Sequence, residues 1–269
     1  MEYGEKHILV LGAGASGIGA SWVLAQVGAH VVLNDYKPVT LPATEEGRLV
    51  SAGVEIITGR QDESLLDGVD RIVISPGISL DIPIVKAAQA RGIDVVSEVE
   101  LAYEVSKSPI VAVTGTNGKT TTTTLLTKVL EGSGKPVRVG GNIGDSLSEV
   151  AYSMPVGGFL VAELSSYQLE TIKHFRPIGA IMLNITPDHL ARHKTMENYI
   201  AAKERIFENQ LKSDYLVLNI DDSVVADMEH RAPSHILQIS QKQTVENGAY
   251  YANGQCYVVK NGVATAVIG

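Results

Sequence analysis

The chain has 269 residues and a formal net charge of −8, and 45% of its residues are hydrophobic while 19% are charged. The length favours about two domains of roughly 100–200 residues each, and the composition supports a buried core and excludes wholesale disorder. The acidic balance argues against a surface for nucleic acid or anionic membrane, although a local loop can still bind the phosphates of a small nucleotide. A single cysteine, Cys256, leaves no internal disulfide and predicts a cytoplasmic location. No signal peptide or membrane-spanning stretch is predicted, so we expect no membrane insertion.

Short β-rich runs alternate with stretches of helical periodicity through most of the chain. This order predicts a doubly wound α/β architecture whose parallel sheets are covered on both faces. The tail differs, because turn signals at Asn253-Gly254 and Asn261-Gly262 predict short hairpin strands over 249–268. The other predicted strands are 7–11, 30–34, 54–57, 71–75, 93–96, 109–114, 137–140, 158–163, 180–185 and 215–219.

A polar break at Ser106–Pro109, after the helical pattern Glu98–Val105, indicates a domain boundary near 97–108. We therefore predict one domain over 1–97 and a second over 98–269. The chain stops after Val267-Ile268-Gly269 with no closing element, so we expect a fragment whose second domain is incomplete.

A glycine motif, G-x-G-x-x-G at Gly12, Gly14 and Gly17, follows the first predicted strand and opens a helix. Close backbone approach and a helix N-terminus favour an anionic ligand group there. Asp35 ends the second strand, where a carboxylate can accept hydrogen bonds from a ribose or a base. The turn 75–77 follows a later strand at the edge where such sheets bind ligands. The motif alone also fits an NAD site, or a tight turn without a ligand.

A second glycine turn, "TGTNGKT" at 114–120, follows the strand 109–114. Gly118-Lys119-Thr120 matches the end of a P-loop, but the usable first glycine is Gly115, so the loop is a shortened variant. Backbone amides can face phosphate oxygens, Lys119 can reach the β- and γ-phosphates, and the Thr120 hydroxyl can bind Mg²⁺.

Five threonines, 120–124, open the helix that follows this loop. Hydroxyls at a helix N-terminus can add hydrogen bonds to phosphate, and we expect such contacts from Thr120 and Thr121 only. The rest are expected to face solvent or bond to backbone carbonyls. Apolar residues recur at helical spacing further along, at Leu125, Leu126, Val129 and Leu130.

Polar residues also end two later strands. Glu163 ends the strand 158–163, with Ser165 and Gln168 as polar neighbours, and His189 lies beyond the strand that contains Asn184. A carboxylate and an imidazole beside a phosphate loop favour a metal or substrate site, although a hydrogen-bonded pair that only orders two loops is the alternative.

Three further charged residues have simple structural interpretations. Lys203, in the helical pattern 196–211, is by periodicity alone a solvated surface lysine. Asp221 and Asp222 are expected to cap the helix that begins near Val224.

Six motifs in this order resemble the Mur ligases of peptidoglycan synthesis, which are ATP-dependent amide-bond-forming enzymes. The resemblance covers all 269 residues and implies a Rossmann-like N-terminal domain followed by a P-loop-type doubly wound central ATPase domain, with the C-terminal ligase domain absent from this chain. The motifs are "GTNGKT" (115–120), "GGNIG" (140–144), "ELSSYQLE" (163–170), "NITPDHL" (184–190), "AAKERIF" (201–207) and "LNIDD" (218–222).

Within this family the "GAGASG" turn and "ELSSYQLE" are similar to the members that join D-glutamate to UDP-N-acetylmuramoyl-L-alanine through an acyl phosphate. The resemblance implies that the first domain binds the uridine nucleotide and not NAD, in a cytoplasmic enzyme that acts as a monomer. These activities belong to cell-wall biogenesis, cell shape and cell division. The implied substrate-binding residues are Gly14, Ala15, Ser16, Asp35, Tyr36, Ser75, Gly77, Asn142, Ser165 and Gln168.

The resemblance also implies ATP and two Mg²⁺ ions. Thr120 and Glu163 would hold one ion, and His189 and Lys203 would serve the other, with Lys203 carbamylated. Lys119, Glu163, His189 and Lys203 would form the catalytic set. The implied ATP-binding residues are Gly115, Thr116, Asn117, Gly118, Lys119, Thr120 and Thr121.

Two departures from the family pattern matter. Ala191 stands where the family usually has Asp, from which we expect a modest perturbation. The adenine-binding motif and the C-terminal domain are expected beyond the chain, so this fragment should not complete the reaction alone. A sibling Mur ligase, a folylpolyglutamate synthase and a non-catalytic nucleotide-binding module remain the alternatives.

Overall fold

The structure is a computed structural model that describes residues 3–268, and it divides into two compact units. The chain first passes from one unit to the other between Ser108 and Pro109, inside the polar break noted in the sequence. Unit 1 contains the residues up to Ser108 together with Val139–Val156 and Tyr167–Phe175, and unit 2 contains Pro109–Arg138, Gly157–Ser166 and the residues from Arg176 onward.

Unit 1 is built on a five-stranded parallel sheet in the order β3-β2-β1-β4-β5. The central strand is apolar because both of its faces are buried: Ile8 and Val10 belong to one core cluster, and Leu9 and Leu11 belong to the other. The strands are β1 (His7–Leu11), β2 (His30–Asp35), β3 (Glu55–Thr58), β4 (Arg71–Ile74) and β5 (Asp94–Ser97).

The second sheet has nine strands in the order β14-β13-β12-β11-β10-β9-β6-β8-β7. Strands β8, β6, β9, β10, β11 and β12 run parallel, and β12, β13 and β14 form an antiparallel meander. The strands are β6 (Ile110–Thr114), β7 (Val137–Gly141), β8 (Phe159–Glu163), β9 (Gly179–Met182), β10 (Tyr215–Asn219), β11 (His235–Ser240), β12 (Gly248–Ala252), β13 (Gln255–Lys260) and β14 (Val263–Ile268).

Ten α-helices are present among the described residues, and none of the described helices is long and apolar enough to cross a membrane. Short 3₁₀ turns lie at Glu63–Leu66, Arg205–Phe207 and Met228–Arg231. The helices are α1 (Ala15–Gln26), α2 (Ala43–Ser51), α3 (Pro83–Ala90), α4 (Glu98–Val105), α5 (Lys119–Glu131), α6 (Leu147–Ser153), α7 (Ser166–Leu169), α8 (Leu190–His193), α9 (Met196–Glu204) and α10 (Ser223–Asp227).

The predicted α/β class is confirmed, and each predicted strand is present with its ends shifted by three residues at most. The hairpin turns also occur as predicted, since Asn253 and Asn261 have positive φ angles of 52° and 53°, each followed by a glycine with positive φ. The sequence analysis missed β11, whose residues are mostly half-buried and so lack the apolar run of its neighbours.

The buried face of α5 is not defined by the apolar residues at helical spacing. Thr123 and Thr127 are its buried residues, whereas Leu125 and Val129 are 62% and 73% exposed. The buried face therefore follows the threonine spacing, and the Thr127 hydroxyl donates to the Thr123 carbonyl, which satisfies that polar group inside the helix.

Helix α4 carries a buried carboxylate that anchors a later segment of unit 1. Glu100 is fully buried and accepts backbone N–H bonds from Lys173 and His174, both at 2.7 Å, and from Phe175 at 3.1 Å. Three amides that point to one carboxyl group satisfy both its oxygens and fix the turn at 173–175.

Substitution Glu100→Gln should lower the free energy of unfolding by about 2 kcal/mol, because an amide nitrogen cannot accept the N–H bonds that a carboxylate oxygen accepts. Urea unfolding of both proteins measures the difference. The exposed Glu46→Gln serves as the control and should change stability by less than about 0.5 kcal/mol. Equal effects of the two substitutions would contradict an anchoring role for Glu100.

Candidate functional site

The shortened glycine loop of unit 2 leaves the end of β6 and leads directly into α5. Gly115 has φ +151° and Gly118 has φ +81°, and a Cβ atom at Gly115 would lie 2.9 Å from Leu183 Cβ. The first helical bond of α5 runs from Thr122 N–H to the Gly118 carbonyl at 3.0 Å. The amides that precede it lie outside the helical ladder, at the positive end of the helix dipole.

Asn184, which follows β9, clamps the loop from the neighbouring strand. Its side-chain oxygen accepts the Asn117 N–H at 2.8 Å, its side-chain nitrogen donates to the Asn117 carbonyl at 3.0 Å, and its backbone carbonyl accepts the Thr116 N–H at 2.9 Å. The sequence analysis assigned no function to Asn184. An amide side chain just after a buried strand beside the loop was the available signal.

Thr116 is held on the other side of the loop by residues that the motif does not contain. Its hydroxyl lies 3.0 Å from the Tyr199 hydroxyl and accepts the Thr186 N–H at 3.0 Å. Asp222 in turn accepts the Ile185 N–H and caps α10 through the Val224 and Val225 amides, which confirms the expected N-cap for Asp222. The loop is thus fixed by β9, α9 and the segment 184–186 together. Asp221 does not cap the helix, because its carboxylate accepts from the Ser240 hydroxyl and the Gln241 N–H.

Lys119 folds back over its own loop. Its ammonium group donates to the carbonyl oxygens of Gly115 at 3.1 Å and Thr116 at 2.9 Å. The next two residues of the predicted nucleotide contacts, Thr120 and Thr121, are exposed at the start of α5. The predicted ATP-binding residues 115–121 therefore form the loop and the first residues of α5.

Lys203 lies beneath the same loop and is buried, with 2% exposure. Its ammonium donates to the Gly115 carbonyl at 2.7 Å and to the Thr114 hydroxyl at 3.3 Å. The surface position predicted from periodicity is therefore wrong. Lys203 stands four residues after buried Tyr199, on the same face of α9, and this spacing was the signal for burial.

Burial, helped by the nearby positive charge of Lys119 and opposed by the Asp188 carboxylate, lowers the pKa of the Lys203 ammonium to about 7. A lysine with this pKa is largely neutral by about pH 8, so its nitrogen then has a lone pair available for reaction.

Glu163 ends β8 beside the strand from which the loop leaves. Its register partner is Val113, and it is 1% exposed. The next residue, Leu164, donates its N–H to the Val113 carbonyl at 2.9 Å and accepts the Thr114 hydroxyl at 2.8 Å. The predicted carboxylate therefore lies at the carboxyl edge of the sheet, one strand from the loop.

His189 is exposed and lies next to Asp188, with 3.4 Å between the imidazole Nε2 and the carboxylate Oδ2. Its ring also meets the edge of Tyr199, at 6.4 Å between centroids. Ala191 is exposed in the short helix α8. A buried pair in unit 2 that the sequence analysis missed is Ser166 and His193, whose Oγ and Nε2 atoms are 2.9 Å apart.

Among the residues that the structure describes, no three His, Cys, Asp or Glu side chains group closely enough to hold a metal ion. The donors at the loop are a threonine hydroxyl and one carboxylate. This set fits Mg²⁺, which prefers oxygen and usually completes its shell with water and substrate phosphates. The ammonium of Lys203 cannot bind a cation as it stands.

The glycine turn of unit 1 is set by close backbone contacts. A Cβ atom at Gly12, where φ is +100°, would lie 2.8 Å from the Ser75 side chain, and one at Gly17 would lie 1.7 Å from the Gly12 carbonyl oxygen. A Cβ at Gly14 would meet nothing within 4 Å, so the backbone there faces open space. The third glycine allows helix–strand packing and the second leaves room for a ligand.

Asp35 closes this turn and lines a cavity of about 650 Å³. One carboxylate oxygen accepts the Ala13 N–H at 3.0 Å and the other accepts the Lys37 N–H at 2.9 Å. The structure brings Asp35, Tyr36 and Gly77 together in the lining of this cavity, while Ser75 contacts Gly12 beside it.

The remaining predicted substrate residues are spread along the chain. Gly14, Ala15 and Ser16 open α1, and Asn142 lies in the segment Val139–Val156, all in unit 1. Gln168 belongs to unit 1 and Ser165 to unit 2, and Gln168 is buried with 2% exposure.

One glycine turn follows β1, the central strand of the first sheet, and the other follows β6, which lies between β8 and β9 in the second sheet. This arrangement defines a Rossmann-like unit followed by a P-loop-type α/β unit. Two family models match this chain: the Mur ligase middle domain over residues 113–268 and the Mur ligase MurD-like N-terminal domain over residues 6–97. The chain belongs to the Mur ligase family.

Curated relatives include the UDP-N-acetylmuramoylalanine–D-glutamate ligases of Caldanaerobacter subterraneus and Thermoanaerobacter pseudethanolicus. The first is 46% identical over 258 residues, which is 96% of this chain and 57% of the relative. The second is 45% identical over 268 residues, which is 100% of this chain and 59% of the relative. The chain therefore spans less than three fifths of the length of these two relatives.

Solved structures with the same fold include a UDP-N-acetylmuramate:L-alanyl-gamma-D-glutamyl-meso-diaminopimelate ligase from Neisseria meningitides. It is 21% identical, with a TM-score of 0.62, and the match covers 97% of this chain and 86% of that one. A UDP-N-acetylmuramate-alanine ligase from Thermotoga maritima is 22% identical, with a TM-score of 0.52 and coverage of 97% and 60%. These structures support the fold.

The low pKa of Lys203 predicts a pH-dependent stability. Between pH 7 and the ordinary lysine pKa of 10.5, the unfolded chain carries a proton that the folded chain has released, so stability rises with pH. Below pH 7 both states are protonated and the cost of burying the charge is fully present.

Substitution Lys203→Met should remove this slope. From pH 7 to pH 9 the free energy of unfolding of the native chain should gain on the order of 2 kcal/mol relative to the variant, measured by urea unfolding in carbonate-free buffer. The exposed Lys212→Met should keep the native slope. Parallel curves for the native chain and Lys203→Met would contradict the lowered pKa.

Proposed function

We propose that the protein to which this chain belongs joins D-glutamate to UDP-N-acetylmuramoyl-L-alanine at the expense of ATP, in the cytoplasmic synthesis of the peptidoglycan precursor. The observation that carries the proposal is the glycine loop at 115–120, whose Gly115 carbonyl accepts a hydrogen bond from the buried amine of Lys203. The MurD-like family model over residues 6–97 and the D-glutamate ligases among the relatives support this choice of substrates.

The two predicted domains would bind different nucleotides. Residues 1–97 would bind the uridine nucleotide in the cavity beside Asp35 and Tyr36, and residues 98–269 would bind ATP. We expect the contacts to adenine and D-glutamate in the part of the relatives that this chain does not span. The 269 residues alone, as a monomer, are expected to bind nucleotides without completing the reaction.

In the first proposed step, a carboxylate oxygen of the L-alanine attacks the γ-phosphorus of ATP, and the bond to ADP breaks. The obstacle is repulsion between an anionic nucleophile and a polyanionic phosphate. Lys119 and the loop amides would offset that charge and hold the phosphate in line, which is the main catalytic contribution available to such a site. The product is an acyl phosphate.

In the second step, the amine of D-glutamate attacks the acyl carbon. The tetrahedral intermediate loses its proton and expels inorganic phosphate, so that an amide bond replaces the acyl–phosphate bond. Water must be kept away from the acyl phosphate, which would otherwise hydrolyse.

Mg²⁺, when bound, neutralises phosphate charge and orients the transferred group. Thr120 and Glu163 would hold one ion. His189 and a modified Lys203 would serve a second.

We propose that Lys203 becomes carbamylated, because its neutral amine can add carbon dioxide with the loss of one proton. The resulting carbamate is an anion with oxygen atoms, and such a group suits Mg²⁺, which a lysine ammonium does not.

Substitution Lys119→Ala, made in the protein extended to the full length of its relatives, should lower the rate of phosphate release by about 10²-fold or more, the scale of losing one oriented charge-stabilising group. Phosphate release with UDP-N-acetylmuramoyl-L-alanine, ATP and a panel of amino acids measures it. The exposed Lys128→Ala, on the same helix, serves as the control.

Native-like turnover by Lys119→Ala would contradict the assigned phosphate loop. Release that depends on L-alanine or on a folate substrate would favour a sibling ligase. No release by the native protein with any substrate would favour a non-catalytic nucleotide-binding module.

A further inference from the structure

Glu98 is a buried carboxyl group of unit 1 to which the proposed mechanism assigns no function. It opens α4 and is 1% exposed. Its Oε1 atom accepts the Ser148 N–H at 3.0 Å, the Ser148 hydroxyl at 3.0 Å, and a further short hydrogen bond from the Ser146 hydroxyl. Three hydrogen bonds from two serines to one buried oxygen make this contact specific.

The same carboxyl group reaches the first glycine turn. Burial raises the pKa of Glu98, and interactions with the Ser146, Ser148 and Ser16 side chains limit that rise. Ser16 lies in the first turn of α1, the helix that begins within the 12–17 turn. The Glu98 carboxyl group is therefore close to the start of α1 and bonds directly to the segment that follows the "GGNIG" loop.

A close backbone approach brings these two segments together independently of Glu98. A Cβ atom at Gly19 of α1 would lie 2.1 Å from Ser146 Oγ and 2.4 Å from Ser146 Cβ. Helix α1 can therefore lie against Ser146 only because residue 19 has no side chain. The same Ser146 hydroxyl donates to Glu98.

We propose that Glu98 is a positioning residue that ties the 12–17 turn to the 140–148 loop, so that both present their groups to one ligand in a fixed arrangement. This inference rests on the proposed function, in which Ser16 and Asn142 contact the same UDP-linked substrate. Glu98 itself touches no substrate. It acts by limiting the motion of two loops that would otherwise have to be ordered when the ligand binds.

Volume and hydrogen bonding can be separated at this position. Glu98→Leu keeps the bulk of the side chain and removes every acceptor, whereas Glu98→Gln keeps one oxygen that can accept from Ser146 and Ser148. A purely space-filling role would leave Glu98→Leu similar to the native chain. Ser148→Ala removes one hydroxyl donor and keeps Glu98. It therefore tests the hydrogen bonds to Glu98 even if Glu98→Leu fails to fold.

The experiment measures two quantities on this chain: amide hydrogen exchange in residues 12–18 and 140–148, and the Kd for UDP-N-acetylmuramoyl-L-alanine by calorimetry. In Glu98→Leu, exchange should rise in both segments and the Kd should rise about tenfold, which corresponds to about 1.4 kcal/mol. Glu98→Gln should stay within about threefold of the native Kd, and Ser148→Ala should fall between the two variants.

Glu100→Gln is the matched control, since it makes the same change of charge on the same buried helix but contacts the 173–175 turn instead. It should lower stability and leave the Kd unchanged. Unaltered exchange in either segment of Glu98→Leu or, if that variant does not fold, of Ser148→Ala would overturn the inference. A raised exchange with an unchanged Kd would overturn it as well.

The native chain tests the proposed function separately. If it binds NADH and not the UDP-linked substrate, the proposed function is wrong. The proposed role of Glu98 in substrate binding then fails as well, before any variant is measured.

Discussion

The Lys203 ammonium lies 2.7 Å from the carbonyl oxygen of Gly115, beneath the loop that we propose binds the phosphates of ATP. This contact links three elements of unit 2, because Lys203 also donates to the Thr114 hydroxyl, which in turn donates to the Leu164 carbonyl beside Glu163. One buried amine therefore connects the end of β6, the start of the phosphate loop and the end of β8. The low pKa follows from the same burial, so structural support and chemical reactivity have one cause.

The rest of the site follows from strand order. With β6 between β8 and β9, the residues that leave the carboxyl ends of these three strands meet around one loop. Asn184 after β9 clamps Asn117, and Glu163 at the end of β8 faces the same edge. Unit 1 uses the same principle at β1, whose glycine turn is closed by Asp35 from β2 and contacted by Ser75 after β4.

Much of this could be predicted from the sequence. Apolar strands, glycine turns and the "Asn-Gly" hairpins are local signals, and they predicted the α/β class, every strand except β11, and both loops. The spacing from Tyr199 indicated the buried face of α9, but the acceptor that allows a lysine at position 203 is the Gly115 carbonyl, 88 residues away in the chain. The helical pattern Glu98–Val105 gave no sign that Glu98 and Glu100 are buried, because their donors lie about 50 and 75 residues later in the chain. A local sequence pattern does not show hydrogen-bond partners that lie far away in the chain.

The proposed mechanism depends most on Lys203, whose neutral amine would add carbon dioxide to form a carbamate that binds Mg²⁺. Carbon-13 NMR of the chain with labelled bicarbonate, Mg²⁺ and ADP at pH 8 tests this most directly. The account predicts a carbamate resonance that is present in the native chain and in Lys212→Met but absent in Lys203→Met. No carbamate resonance in the native chain, or the same resonance in all three proteins, would contradict it.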